Sequence, residues 1–429
     1  MTATAHETAH ESAQPIASEP PAHRDPNVLR WLAAYTASMV GDSVYYIALS
    51  WAAVQAGTPS QAGLVMTASA LPRALLMLGG GVIADRLGPR RVVVGSDAVR
   101  CAAVLAVAAL LYATSPGLWP LALLALVFGA VDAVFVPAVG ALPARVTRRD
   151  QLARVQGMRG LAIRFASVVG APLGGFGVAA GGAAAAFAIA GLLIAVSVPL
   201  LLCVRIRDLP PHDATATATA ADAAPNATAW ADLVAGLGYI RRHRVLAPLM
   251  AAIALGDLGF VGPLNVGLTL LADERGWGAS GMGWVLSGFG VGAGAASLLL
   301  TLRGRLPRAG QVAGCSILAG SLAIGSLAYA PTVAAAVGTA LLIGLLAGLS
   351  GAMCGALLQT QADPAYLGRV TAVSSLVSLG LTPLSMPLSA AAIGAWGTGP
   401  VFVGSAAVCG LGGIVALCVP GLRRAELPR

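Results

Sequence analysis

The sequence contains no lysine, and charged residues of every kind make up only 10% of its 429 residues. Soluble globular proteins carry about 25% charged residues. Aromatic residues are also few, at 5%, whereas hydrophobic residues reach 57% and the mean hydropathy is +0.81. Because so little charge cannot keep this apolar surface in water, the composition predicts a protein that is dissolved in a lipid bilayer.

Several kinds of catalytic site are missing as well. A phosphate-binding loop of the Gly-x-x-x-x-Gly-Lys-Ser/Thr type needs a lysine, which excludes a built-in ATP motor. The five histidines lie in the tails and the linker, so a hydrolase triad has no base inside the membrane. The six cysteines fall inside apolar runs without the spacing of metal ligands. We therefore expect no enzyme activity, no metal site and no bound cofactor.

Long apolar runs recur along the whole chain. A helix of about 20 apolar residues spans a hydrocarbon core of roughly 30 Å, and these runs are too long and too uniform for the alternating strands of a barrel. The sequence therefore predicts an all-α integral membrane protein with twelve transmembrane helices. The predicted spans are 30–54, 61–83, 92–113, 118–141, 152–178, 183–204, 246–271, 280–302, 311–330, 332–358, 368–392 and 399–420.

Arginine is distributed unevenly among the connections between these spans. Arg275 alone follows an odd-numbered span, whereas the connections after even-numbered spans and both termini are rich in arginine. Positively charged loops remain in the cytoplasm, so the pattern predicts both termini on the cytoplasmic side of the inner membrane. Topology also accounts for the net charge of +8 without a nucleic-acid partner.

A low-complexity stretch, "ATATATAADAAPNATA", separates the spans into two groups of six. After it, Trp230, Leu233, Leu237 and Ile240 recur at helical spacing, which predicts an amphipathic helix on the inner membrane face. The predicted organisation is a disordered cytoplasmic tail (1–27), an N-terminal six-helix bundle (28–204), a cytoplasmic linker with the amphipathic helix (205–244), a C-terminal six-helix bundle (245–421) and a cytoplasmic tail (422–429).

The two halves resemble each other at an offset of 215 residues. Gly41-Asp42 then coincides with Gly256-Asp257, and Pro172 coincides with Pro387. Internal repeats of this kind are common in secondary transporters, so we interpret the halves as copies of one six-helix unit related by pseudo-symmetry.

The stretch "GVIADRLGPRR" concentrates charge between the second and third spans. It resembles the hallmark loop of the major facilitator superfamily, and the twelve spans and central linker extend that resemblance over nearly the whole chain. The resemblance implies that this loop acts as an inner latch between the halves. The latch residues would be Gly81, Asp85, Arg86, Gly88, Arg90 and Arg91, with Asp97 and Arg100 beside them near the inner surface.

Other segments resemble the drug–proton antiporter and siderophore-exporter branch of that superfamily. They include "GDSVYYIALSW" in span 1 and "QTQADPAYLGRV" before span 11. In span 5, Gly170, Gly174 and Gly175 fit the spacing of an antiporter motif, whereas Pro172 stands one place late. A packing face of small residues with a proline kink explains this segment equally well.

Five ionisable residues lie far inside predicted spans. At 1.5 Å per residue, they stand about 14–18 Å from the cytoplasmic end of their helices, near the midplane where transporters bind substrates. Fixed ion pairs between Asp42 and Arg73, and between Asp132 and Arg164, are one interpretation. Since three acids would share two arginines, one acid remains a candidate for proton binding. The five residues are Asp42, Arg73, Asp132, Arg164 and Asp257.

We therefore predict a monomeric carrier that works by alternating access and exports a small amphipathic drug or metabolite in exchange for protons, with Asp42 favoured as the proton carrier. An exporter of a siderophore or other anionic metabolite is the first alternative. A transport-inactive membrane sensor or assembly partner is the second.

Overall fold

The computed structural model describes residues 22–114, 117–147, 151–206, 229–303, 308–363 and 366–426, without the side chains of 77–82, 84–85, 153 and 229–233. All regular secondary structure in these ranges is helical. The predicted N-terminal tail lies mostly outside them, and so does the low-complexity part of the linker.

The first half consists of five long helices. Asp25 caps the first of them by accepting a hydrogen bond from the backbone N–H of Asn27 at 2.8 Å, as is typical of a helix start. The helices are α1 (Pro26–Ala56), α2 (Pro59–Leu87), α3 (Pro89–Ala113), α4 (Trp119–Val146) and α5 (Leu152–Leu202).

Helix α5 is two predicted spans joined by a break. Gly181 and Gly182 have non-helical backbone angles, and Gly182 has a φ of 72°, which glycine adopts without strain. The break divides α5 into two arms. The arms correspond to the predicted spans 5 and 6.

The second half repeats this arrangement after a short helix, α6 (Ala229–Arg242). Its first rod is interrupted by the π-helical turn Pro263–Gly267, a feature that is frequent at functional sites. The helices are α7 (Leu246–Gly262), α8 (Leu268–Glu274), α9 (Gly278–Arg303), α10 (Ala309–Leu327), α11 (Val333–Gln361), α12 (Leu367–Trp396), α13 (Thr398–Cys418) and α14 (Pro420–Arg423).

The all-α prediction is confirmed, and the helical rods match the predicted spans in order. Within the described ranges, nine helices are long and apolar enough to cross a membrane, the two-armed α5 and the continuous rod of α7 and α8 each counting once. The structure is thus that of a multi-pass membrane protein. For α1 and α2, crossing the membrane remains a prediction from the sequence.

The two halves pack closely at the face opposite the termini. The end of α1 contacts the end of α8, where Gln55 donates a hydrogen bond to Asp273 at 2.7 Å. Gly63 of α2 lies against Ala390 of α12, and Gly175 of α5 lies against the backbone of Ala279 in α9. Small residues allow these close approaches.

Arg275, the exception in the arginine pattern, has a local partner at that face. Its Nη2 donates to the carbonyl oxygen of Ala328 at 2.6 Å, at the C-terminal end of α10. Helix C-termini attract cations because their carbonyl groups lack intrahelical partners. Arg275 therefore stabilises a helix end.

The amphipathic helix was expected to rest on the membrane face. In the structure, α6 packs against the start of α12, where Tyr239 stacks on Tyr366 with ring centroids 4.5 Å apart, and its place on the membrane face stays a prediction. Ile240 is buried, and Gly236 lies beside Arg369. Protein contacts therefore cover part of the apolar face that the sequence assigned to lipid.

Helix α4 approaches α2 closely at Gly129, where an added Cβ would collide with the carbonyl oxygen of Ser69. We expect Gly129→Ala to destabilise the protein by about 1–3 kcal/mol, the usual cost of overpacking. Gly140→Ala, on the same helix but with free space around its Cβ, is the matched control. Thermal unfolding in detergent compares the two variants, and equal Tm values would contradict the assigned contact.

Candidate functional site

A buried guanidinium lies at the centre of the first half. Arg100 of α3 has no exposed surface, and its Nη1 donates to both carboxylate oxygens of Asp42 at 3.0 and 2.9 Å. The same nitrogen reaches Asp132 Oδ1 at 3.2 Å. One cation thus joins α1, α3 and α4.

The other end of the guanidinium meets a third acid. Arg100 Nη2 donates to Asp97 Oδ1 and to Ser38 Oγ, the latter at 3.2 Å. Asp97 also accepts hydrogen bonds from Ser38 at 3.1 Å and from Ser197 in the second arm of α5. Asp97 is fully buried, and its carboxylate accepts hydrogen bonds from three side chains.

Asp132 connects this cluster to the boundary between the halves. Its Oδ2 accepts a hydrogen bond from Tyr46 at 3.3 Å and lies 3.8 Å from Arg73 Nη1. Tyr46 and Arg73 line a cavity of about 320 Å³ between α1, α2, the π-helical turn and α12. Asn265 in the π-helical turn and Thr382 in α12 line the opposite wall. We call this space the interface pocket.

The charges of the cluster do not balance among the described residues. Asp42, Asp97 and Asp132 form ion pairs with Arg100 and Arg73 only. Three carboxylates therefore share two guanidinium groups. Bound protons are a direct means of neutralising the excess negative charge in a low-dielectric interior.

Asp42 is the least enclosed of the three acids. Its side chain is 14% exposed, against 7% for Asp132 and 1% for Asp97. Its described partner is a single nitrogen of Arg100, whereas the other two acids also accept from hydroxyl groups. Of the three, Asp42 has the fewest contacts to lose.

The structure corrects two expected ion pairs. Asp42 pairs with Arg100 rather than Arg73, and Asp132 pairs with Arg100 and Arg73 rather than Arg164. Helix α3 begins at Pro89, three residues before the predicted span, so Arg100 stands about 16 Å along it. Its long side chain then reaches the acids that the sequence assigned to other arginines.

Asp97 and Arg100 were expected beside the latch loop. They form an ion pair with each other, but Arg100 also binds Asp42 and Asp132. The two residues therefore belong to the buried cluster. A role in the latch is not required to explain them.

Arg164 and Asp257 do not join the cluster. Arg164 of α5 is exposed and contacts Ser297 of α9 at 3.4 Å. Asp257 of α7 accepts a hydrogen bond from Ser378 of α12 at 2.5 Å and lines a separate cavity in the second half. The expected common layer of five charges is thus divided among three places.

The latch loop is described in part. The side chain of Asp85 and residue Gly81 lie outside the described side chains, so their latch role stays a prediction. Gly88 has a φ of 86°, which explains the glycine at the turn between α2 and α3. Arg90 binds the carbonyl groups of Leu201 and Leu202, at 3.3 and 2.5 Å, and thereby caps α5. Arg86 and Arg91 are exposed.

The glycine-rich motif of α5 forms a junction of three helices. Gly170 and Gly174 face Ser43 and Ile47 of α1, whereas Gly175 and Pro172 face α9 of the second half. This geometry accounts for the motif as a packing face. An antiport role of this motif stays a prediction from the resemblance.

Sequence reasoning missed the hydroxyl groups that complete the cluster. Ser38, Asp42 and Tyr46 recur at intervals of four, which places them on one face of α1. This spacing is the signal that identifies Ser38 and Tyr46. Ser197 gives no comparable signal, because its contact with Asp97 spans 100 residues.

Comparison with known proteins decides the family. The profile of the Major Facilitator Superfamily matches residues 31–378. The chain belongs to this superfamily. It is accordingly a membrane transporter of small molecules and not an enzyme, as the sequence predicted.

The most similar relatives include exporters of one siderophore. The proteins named Enterobactin exporter EntS from Shigella boydii serotype 18 and Escherichia coli O157:H7 are each 25% identical to this chain over 354 residues. The match covers 82% of this chain and 80% of each relative.

Solved structures support the fold. The nucleoside transporter NupG aligns with a TM-score of 0.70 at 12% identity, covering 92% of this chain and all of that one. A D-xylose–proton symporter aligns with a TM-score of 0.67 at 15% identity, covering 93% and 99%.

Removal of the buried guanidinium would leave carboxylates without their main cation. We expect Arg100→Leu to lose about 3–5 kcal/mol of stability, as when one partner of a buried ion pair is removed. Arg73→Leu is the matched control, since its side chain is 37% exposed and its ion pair is long, so about 0–1 kcal/mol is expected. Thermal unfolding of both variants measures the difference. Similar Tm losses would show that Arg100 does not organise the cluster.

Proposed function

We propose that this transporter exports a small amphipathic molecule in exchange for protons, and that the Arg100 cluster carries the coupling proton. The observation that carries the proposal is the charge count: three buried acids share two arginines beside a pocket between the halves. A buried excess charge is costly unless neutralised. A proton on one acid neutralises it.

Asp42 is the proposed proton carrier. It is the most exposed of the three acids, and protonation would weaken its bonds to Arg100 alone. Arg100 would then be held mainly by Asp97 and Asp132. Asp132 also contacts Tyr46 and Arg73 of the interface pocket. A proton on Asp42 would therefore change the charge balance at the pocket through Arg100, which binds both acids.

The closed face of the molecule fits an alternating-access cycle. We propose that the arginine-rich face is cytoplasmic, that the protein lies in the inner membrane, and that it works as a monomer. The halves then meet on the outer side through Gln55–Asp273 and the glycine contacts of Gly63 and Gly175. These contacts would separate when the carrier opens outward, as one half rocks against the other.

A siderophore or another anionic metabolite is the second candidate substrate. Arg73 favours it, because this partly exposed arginine lines the interface pocket and its Nε has no hydrogen-bond partner among the described residues. Guanidinium groups bind oxygen-rich anions well. The enterobactin exporters among the relatives are consistent with this substrate class.

The coupling is tested by flux into proteoliposomes under an imposed pH gradient, with a panel of dyes, antibiotics and siderophores. We expect Asp42→Asn to abolish gradient-driven accumulation while preserving substrate exchange, because the variant cannot release a proton. Asp25→Asn, which alters only the cap of α1, is the control and should transport like the wild type.

The outcomes separate the alternatives. Full coupling in Asp42→Asn would contradict the assigned proton carrier and direct attention to Asp132. No flux of any ligand by folded protein would favour the transport-inactive sensor.

The substrate class is tested with Arg73→Gln, which keeps a polar side chain but removes the cation. If the substrate is anionic, its apparent KM should rise at least tenfold, the effect of about 1.4 kcal/mol, while a neutral amphipathic substrate is little affected. The KM of each substrate is measured from initial rates of uptake into inside-out vesicles, in which export from the cell becomes uptake. An unchanged KM for the anionic substrate would exclude the siderophore alternative at this pocket.

A further inference from the structure

The second half contains a cavity that the proposed coupling does not use. It has a volume of about 450 Å³ and lies within one half, between α7, α10, α11, α12 and α13. Its walls combine apolar side chains, such as those of Ile253, Phe260 and Ile343, with uncharged polar ones, most of them serine hydroxyl groups. Pockets of roughly 300–1,000 Å³ with few polar groups are typical of sites for small organic molecules.

Part of the lining of this cavity corresponds in sequence to the surroundings of the Arg100 cluster in the first half. The offset of 215 residues that relates Asp42 to Asp257 also relates the surroundings of Arg100 to the lining of the cavity. Five residues around the cluster thus have their counterparts in the cavity wall. The pairs are Ser38 and Ile253, Tyr45 and Phe260, Phe128 and Ile343, Asp132 and Ala347, and Phe135 and Ser350.

The halves differ in the cation at the centre. Helix α10, which corresponds to α3, contains no arginine and no acid in any of its residues. Phe128 and Phe135, whose rings pack on the Arg100 guanidinium at 5.3 and 3.8 Å, are replaced by smaller residues. Helix α10 therefore cannot supply the guanidinium that α3 supplies in the first half.

Only the acid of this arrangement persists. Among the described residues, Asp257 is the one carboxylate that lines the cavity, and no ion pair joins it to an arginine. Its Oδ2 accepts from Ser378 Oγ at 2.5 Å. The described ranges contain no group of side chains that would hold a metal ion. A single carboxylate among apolar side chains and uncharged hydroxyl groups instead matches an organic monocation.

We propose that this cavity binds a lipophilic organic cation, such as an amine, whose charge pairs with Asp257 in the place that Arg100 takes in the first half. The walls of α10 and α11 surround its apolar part. Gln359 near the end of α11 and Thr371 near the start of α12 line the cavity. Both lie toward the face that carries the chain termini. The cation enters from that face.

The test is equilibrium binding of radiolabelled tetraphenylphosphonium to the full-length protein in nanodiscs. Its charge is permanent, so proton uptake by the probe plays no part. We expect saturable binding to the wild type and at least tenfold weaker binding to Asp257→Asn. Uncharged triphenylphosphine oxide should compete at least tenfold more weakly than the unlabelled cation. Glu426→Gln, at an exposed position, controls for general surface attraction.

A second pair of variants tests the space rather than the charge. Gly351 lines the cavity, and an added Cβ there has no heavy atom within 4 Å, so Gly351→Leu fills the cavity without a backbone collision. Gly338 on the same helix has equally free space but does not line it, so Gly338→Leu is the matched control. We expect at least a tenfold loss of affinity in the first variant and wild-type binding in the second.

Cys354 gives a measurement on the wild-type chain. It lines the cavity, whereas Cys418 is exposed at the end of α13. Bound cation should slow the alkylation of Cys354 by N-ethylmaleimide and leave that of Cys418 unchanged, as quantified by peptide mass spectrometry.

The proposal is overturned if folded wild type shows no saturable binding, if Asp257→Asn and Gly351→Leu bind as the wild type does, or if the cation leaves Cys354 alkylation unchanged. Because equilibrium binding needs no gradient, these results are independent of proton coupling in the first half. A failure of the Asp42→Asn flux experiment would likewise leave this site intact.

Discussion

The first half of the transporter is organised around one buried charge. A guanidinium without exposed surface at the position of Arg100 is tolerated only because carboxylates from three helices meet it. Each acid is in turn acceptable in the interior because Arg100 is there. The cluster therefore fixes the spacing of α1, α3 and α4 while it stores an excess negative charge. The atoms that hold these helices together are therefore the same atoms that are proposed to take up the coupling proton.

This arrangement depends on close helix packing. In a bilayer, apolar side chains gain little by leaving lipid, so helices associate through close packing at small residues. Gly129 brings α4 against α2, and Gly170 and Gly174 bring α5 against α1. The glycine-rich composition thus has a direct structural purpose. At Gly175 and Gly63 the same device joins the two halves, where a carrier needs contacts that are tight yet free of interlocking side chains.

Much of the fold was predictable from the sequence because membranes restrict the choices. The apolar runs predicted the helical rods, and the 215-residue offset predicted their repetition. The site was predictable only in part. Depth along a helix placed Asp42 and Asp132 in one region, but depth says nothing about which face a side chain occupies. Arg164 faces α9 and Asp257 faces a separate cavity for this reason. The predicted span began three residues after the true start of α3, and this error placed Arg100 outside the predicted layer. The contact of Ser197 could not be predicted because its partner is distant in sequence.

The difference between the halves then becomes informative. Two copies of one unit begin with the same acid, Asp42 in one and Asp257 in the other. In the first copy, an internal arginine and two further acids occupy the space beside it. In the second copy, the described lining of a cavity of about 450 Å³ contains no arginine and no second acid, and Ile343 and Ser350 stand in place of Phe128 and Phe135. A buried acid without an arginine beside it is neutralised either by a proton or by a positively charged ligand. The apolar side chains around Asp257 favour a cation that carries its own apolar surface. Neutralisation by such a ligand is therefore favoured over neutralisation by a proton.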